Sequence, residues 1–176
     1  MDESQLRYNV EQIVTDQIKM LREDIIANHF AAGQKASGRT AQSMTINVTN
    51  ESGVVVGTLD GRAYFGNLEQ GNQPFRAQHF RRRADGSTYP SAPKWFIDII
   101  AEWASDKGIN LDSPWGVATS IMVNGTALFQ KGGDPTIFTP EIPKAVNEVR
   151  RRLAGLFDAQ LTASVFETLR KNENQQ

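Results

Sequence analysis

The chain has 176 residues, 39% of them hydrophobic and 22% charged, with a net charge of −1 and no cysteine. That length suffices for one domain with a sizeable core, and the near-neutral balance excludes a global electrostatic pull towards nucleic acid or anionic membrane. The absence of cysteine excludes disulfides and thiolate metal sites.

No apolar run approaches the ~20 residues needed to span a bilayer, and the polar, acidic start MDESQLRYN is not expected to act as a secretory signal. The sequons at Asn47, Asn50 and Asn124 therefore read as chance occurrences. A soluble folded protein is expected.

Residues 3–31 predict one long helix. Leu6, Val10, Ile13, Ile18, Leu21 and Ile25 recur near the helical period, and Gly33 supplies the stop. The apolar stripe is narrow, as on a helix packed along one seam. That seam fits either an intramolecular helix pair or a subunit contact. A polar linker, QKASGRTAQ, follows, with its turn at Ser37-Gly38.

Met44, Ile46 and Val48 alternate with polar residues, which predicts a half-buried strand. Asn50-Glu51-Ser52-Gly53 reads as a four-residue hairpin loop, and VVVGTL, residues 54–59, as the returning strand. Asp60-Gly61 marks a second hairpin turn into a third strand from Arg62, which leaves the sheet near Gly66 for a short helical turn ending at Gly71.

Residues 72–92 predict a long irregular loop, of a length usually associated with function or mobility. Pro93 opens a helix with Trp95, Phe96, Ile99, Ile100 and Trp103 on a broad apolar face, ended by Lys107 and Gly108. Asp112-Ser113-Pro114 caps a further helix to about Lys131, burying Val117, Ile121, Met122, Leu128 and Phe129. TIFT, residues 136–139, suggests a short fourth strand. A long last helix begins at Thr139-Pro140-Glu141 and runs to about Asn172.

These elements predict an α+β fold: a small antiparallel sheet of three to four strands flanked by long N- and C-terminal helices. Residues 1–176 are read as a single domain, with 73–132 a loop plus a two-helix insertion.

Little in the chain suggests catalysis. His29 and His79 stand at a helix end and in a loop, without metal-ligand spacing. No nucleophile elbow is present, and GQKASGRT lacks the order of a phosphate loop and precedes a strand. Asp60 and Glu69 are the candidate paired carboxylates. Asp60 is explained by its turn, and Glu69 by accepting backbone N–H bonds in the following turn. No enzymatic activity, cofactor or metal is expected.

The strongest local signal is basic. Arg76, Arg81, Arg82, Arg83 and Lys94 face only Asp85 within residues 72–94, with Phe75, Phe80 and Tyr89 interleaved. Three readings stay open: contact with nucleic-acid phosphates, docking to an acidic protein partner, and a solvated charged loop.

The order of features also carries a resemblance. Ala36-Ser37-Gly38-Arg39-Thr40 with Ser43, then Val54-Val55-Val56-Gly57, then Tyr64 and Glu69-Gln70-Gly71 resemble the tail-completion, or head–tail joining, family of tailed double-stranded DNA bacteriophages. That family has T-G-x-L-x-x-S before its hairpin and Tyr…E-x-G after it. Ser37 stands here for the Thr and Thr40 for the Leu. The likeness covers about residues 5–72, and Phe138-Thr139-Pro140 is similar to the family's closing segment. WFIDIIAEWASDKGI is similar to versions in crAss-like phages.

The resemblance implies a non-enzymatic virion structural protein, made in the host cytoplasm. It would form a homo-oligomeric ring around the DNA channel of the phage neck or tail, as a head–tail connector or tail-completion protein. Neighbouring neck, portal or tail proteins would be its partners, with transient contact to genomic DNA and none to membrane. Ser37, Gly38, Ser43, Tyr64, Glu69 and Gly71 would then be structural motif residues. The alternative is a nucleic-acid-binding module using the Arg-rich loop 76–94.

Overall fold

A computed structural model describes residues 2–34, 38–62, 65–75 and 80–173. The fold is α+β. Its elements are α1 (Glu3–Ala31), α2 (Arg39–Gln42), β1 (Thr45–Glu51), β2 (Val54–Asp60), α3 (Asn67–Gln70), β3 (Phe80–Arg82), β4 (Thr88–Pro90), α4 (Lys94–Lys107), α5 (Pro114–Asn124), α6 (Ala127–Gln130) and α7 (Glu141–Glu173). They form two compact units. One comprises residues 1–25, 45–60 and 140–176, the other residues 26–44 and 61–139.

In the first unit, β1 and β2 pair antiparallel with Ile46 opposite Leu59 and Val48 opposite Gly57. The turn is tighter than the expected four-residue loop. It is Ser52-Gly53, both with positive φ (52° and 81°), as a two-residue turn matched to strand twist requires. Alternation then sends Ile46, Val48, Val55, Gly57 and Leu59 to the less exposed face. Gly57 is where the hairpin meets α1 most closely. A Cβ there would overlap Ile18 Cδ1 and come within 2.8 Å of Val14 Cγ1. Arg152 of α7 reaches Asp16 of α1 at 3.3 Å. The seam on α1 thus has intramolecular partners.

The second unit is built on α4 and α5. Ala92, Phe96, Ile100, Ala118 and Met122 make its core, with Phe75, Ile97, Leu111, Val117, Ile121 and Val123 packed around them. Gly108, at φ 67°, ends α4. Ser113 caps α5 by accepting from Gly116 N, and Pro114 opens the helix.

The expected sheet of three to four strands is instead two separate two-stranded ladders among the described residues. The chain leaves β2 at Gly61 and turns at once, with Phe65 N donating to Arg62 O at 2.9 Å. Residues 63 and 64 of the expected third strand lie outside the described residues. TIFT is not a strand. Three successive N–H groups there converge on one oxygen, as described below, whereas N–H groups of an extended chain point to alternate sides.

The expected helix over 114–131 is two. Gly125, at φ 78°, breaks it, because a Cβ there would meet Phe129 Cδ1 at 2.6 Å and Asn72 O at 2.8 Å. Thr126 then caps α6 by accepting from Phe129 N. The long basic loop also contains regular structure, the β3–β4 hairpin.

Candidate functional site

Two regions gather the residues singled out by sequence. The first is a clasp around Glu69. This carboxylate is 3% exposed. Its Oε1 accepts from the backbone N–H groups of Ile137 (2.8 Å), Phe138 (2.6 Å) and Thr139 (2.9 Å). Its Oε2 accepts from the Thr139 hydroxyl at 2.5 Å. Successive backbone N–H groups converging on one anion form a nest. Glu69 therefore does not bind the turn that follows it, as sequence suggested. It holds a segment 68 to 70 residues away.

Burial pushes the Glu69 carboxyl up, but the Thr139 hydroxyl and the N–H groups of Thr139, Phe138 and Ile137 outweigh it and hold the pKa below its ordinary 4.5. The group stays ionised, with its oxygens committed to donors. The Glu69 carbonyl also accepts from Asp134 N at 2.8 Å. Gly71 completes the motif. At φ 72°, it brings the backbone so close that a Cβ would overlap Phe129 N and lie 2.5 Å from Thr126 Oγ1. Glu69 and Gly71 thus tie residues 69–72 to residues 126–139.

The other motif residues are also architectural. Gly38 precedes α2 in a left-handed conformation, φ 80°. Ser43 ends α2, its hydroxyl donating to Thr40 O at 2.8 Å. Ser37 and Tyr64 lie outside the described residues. Asp60 is exposed in the first unit while Glu69 belongs to the second.

The second region is the β3–β4 hairpin. Arg81 stands opposite Tyr89 and Arg82 opposite Thr88. The Arg83 guanidinium lies 5.1 Å from the Tyr89 ring centroid. Arg82 Nε donates to Gly86 O at 3.4 Å. Asp85 orders the turn, accepting from Ser87 N at 2.8 Å and Ser87 Oγ at 2.6 Å. Alternation along the strand separates the arginines, with Arg81 and Arg83 on the Tyr89 face and Arg82 on the other. Lys94 is engaged elsewhere: its Nζ lies 2.8 Å from both oxygens of Asp98. Arg76 and His79 lie outside the described residues.

His29 is buried at the end of α1, and its Nδ1 has no hydrogen-bond partner. Burial pushes its pKa below the ordinary 6.5, a side-chain hydrogen bond with Gln34 opposes this, and the Lys107 charge adds to the lowering. Among the described residues no group of three or more His, Cys, Asp or Glu could hold a metal ion. Nor is any helix among them long and apolar enough to cross a membrane.

Sequence reasoning missed the exposed apolar faces. On α4, Trp95 (57% exposed), Ile99 (50%) and Trp103 (40%) form a row at four-residue spacing beside the buried Phe96, Ile100 and Ala104. The broad apolar face expected from the sequence is there, but the fold covers only its Phe96, Ile100 and Ala104 edge. On α7, every residue from Leu161 to Lys171 is exposed.

No protein-family model matches this chain, and neither does a curated protein nor a solved structure.

Proposed function

We propose that the chain is a non-enzymatic structural protein of a tailed-phage virion, assembling as a ring in the neck or tail. The observation that carries this reading is the α4 row of Trp95, Ile99 and Trp103, a contiguous aromatic and aliphatic face left in water by the single chain. Large exposed apolar faces mark protein contacts, and tryptophan is enriched among residues that anchor them.

Closed rings use two different surfaces of one subunit, joined head to tail. A second surface is at hand in the β1–β2 ladder. Neither outer edge pairs with another strand among the described residues, and Val54 and Val56 are exposed on it. An unpaired edge accepts a neighbour's strand. The resemblance to the tail-completion family supports the reading further. Its motif residues Gly38, Ser43, Glu69 and Gly71 act here as turn and clasp residues, the work such a motif does in a structural protein.

The test is the mass of the full chain in solution, with cryo-EM of the parent particle. A discrete ring in either, lost in solution or on the particle when Trp95 and Trp103 become Ser, supports the reading. A monomer absent from every particle overturns it.

A second reading, a nucleic-acid-binding module, is favoured by the exposure of Arg81, Arg82 and Arg83 beside Phe80 and Tyr89. It predicts DNA affinity that falls with salt and with substitution of the three arginines by Ala. Absent or salt-insensitive binding overturns it.

A further inference from the structure

We infer that the last turns of α7 pair antiparallel with the same segment of a second copy, about a two-fold axis between Ala163 and Ser164. This contact is independent of the ring reading, because a closed ring joins unlike surfaces and this one joins like to like.

Phe157, Leu161, Val165 and Leu169 form one four-residue row and are 50%, 66%, 50% and 53% exposed. The adjacent row is Asp158, Thr162, Phe166 and Arg170, with Phe166 67% exposed. Two neighbouring rows of this kind are ridges with a groove between them, the geometry by which one helix seats another. In the single chain nothing fills that groove, since residues 161–171 are all exposed.

The charges select the occupant. Glu167 and Lys171 are paired within the helix at 3.0 Å. Asp158 and Arg170 have no ion-pair partner among the described residues, and they stand at opposite ends of one row, about 18 Å apart at helical rise. An antiparallel copy brings each Asp158 to the other's Arg170. It also sets Leu161 level with Phe166 of its mate, twice by symmetry, with the small Thr162 at the crossing. A parallel copy would oppose Asp158 to Asp158 and Arg170 to Arg170, which repel. An unrelated apolar helix would leave the two charges unmatched.

The area sets the strength. Five large apolar side chains, half to two-thirds exposed, offer about 500 Å² per copy, below the ~800 Å² per partner of a standard interface. The pair is therefore reversible and concentration-dependent.

Because the chain has no cysteine, the full-length protein can be tested with a single introduced thiol. Thr162→Cys, in the groove beside the axis, should form a disulfide-linked dimer under mild oxidation, and Gly155→Cys should not. Sedimentation equilibrium should show a monomer–dimer equilibrium weakened at least tenfold by Asp158→Arg or by Arg170→Asp. The two reversals combined should restore it. Leu161→Glu with Phe166→Glu should abolish it without loss of helical circular dichroism.

A chain monomeric at all concentrations overturns the proposal. So does self-association insensitive to Leu161→Glu with Phe166→Glu, a pair of reversals that fails to restore association, or a Thr162→Cys crosslink made only to another protein. Loss of the ring with this crosslink intact would count against the ring reading alone.

Discussion

Glu69 and the arginines of the β3–β4 hairpin are close in sequence and opposite in role. One carboxylate, buried, receives four hydrogen bonds and ties together two distant segments. Among the described residues, the three exposed guanidinium groups make one contact with an aromatic ring and one long bond to a carbonyl. Charge density drew attention to the arginines, but burial decides what a charge does. A buried ion must be satisfied, and its partners become dependent on it. An exposed ion is satisfied by water and stays available for a partner.

The comparison breaks first at Glu69. Glu69→Ala strands three backbone N–H groups and should destabilise the chain by about 3 kcal/mol or more, read by chemical denaturation. Gly57→Val presses a side chain into Ile18 and Val14 of α1. Overpacking of this kind costs about 1–3 kcal/mol, measured the same way. Glu69→Gln keeps an acceptor for the N–H groups and should cost less than Glu69→Ala.

That amide also sharpens the pH dependence. The folded Glu69 pKa lies below its ordinary 4.5. Its stabilisation is therefore complete above that value and lost as pH falls through the folded pKa. Glu69→Gln should remove this acid limb. His29 acts earlier. Its folded pKa lies below the ordinary 6.5, so the unfolded chain takes up the proton first, and stability falls as pH drops from about 6.5 through the folded value. His29→Gln should flatten the curve there.

The smallest expected effect is at the hairpin. Arg81, Arg82 and Arg83 replaced together by Ala should change stability by under about 0.5 kcal/mol per site, since little in the fold rests on them. A large loss would show that the hairpin is structural after all.

Much of the secondary structure was legible. The Gly33 stop of α1, the Lys107-Gly108 end of α4 and the Ser113-Pro114 cap of α5 all stand where sequence put them. Each depends on residues within one or two turns. The β3–β4 hairpin was read as loop because FRR and TYP carry no apolar alternation. The break at Gly125 was read through, because a lone glycine in a helical pattern does not reveal the carbonyl of Asn72 that needs its space. Of the candidate site, the Glu69-Gln70-Gly71 motif was visible, but its target was not.

By itself, the sequence determined the α+β class, the two long terminal helices and the alternating hairpin, because hydrophobic period and capping chemistry are local. Only the tertiary structure decided that Glu69 holds residues 137–139, that the arginines stand on opposite faces of a ribbon, and that α4 and α7 keep apolar rows in water. Those outcomes depend on which distant groups meet. A carboxylate or a tryptophan carries no mark of its partner until the chain has brought one to it or left it without one.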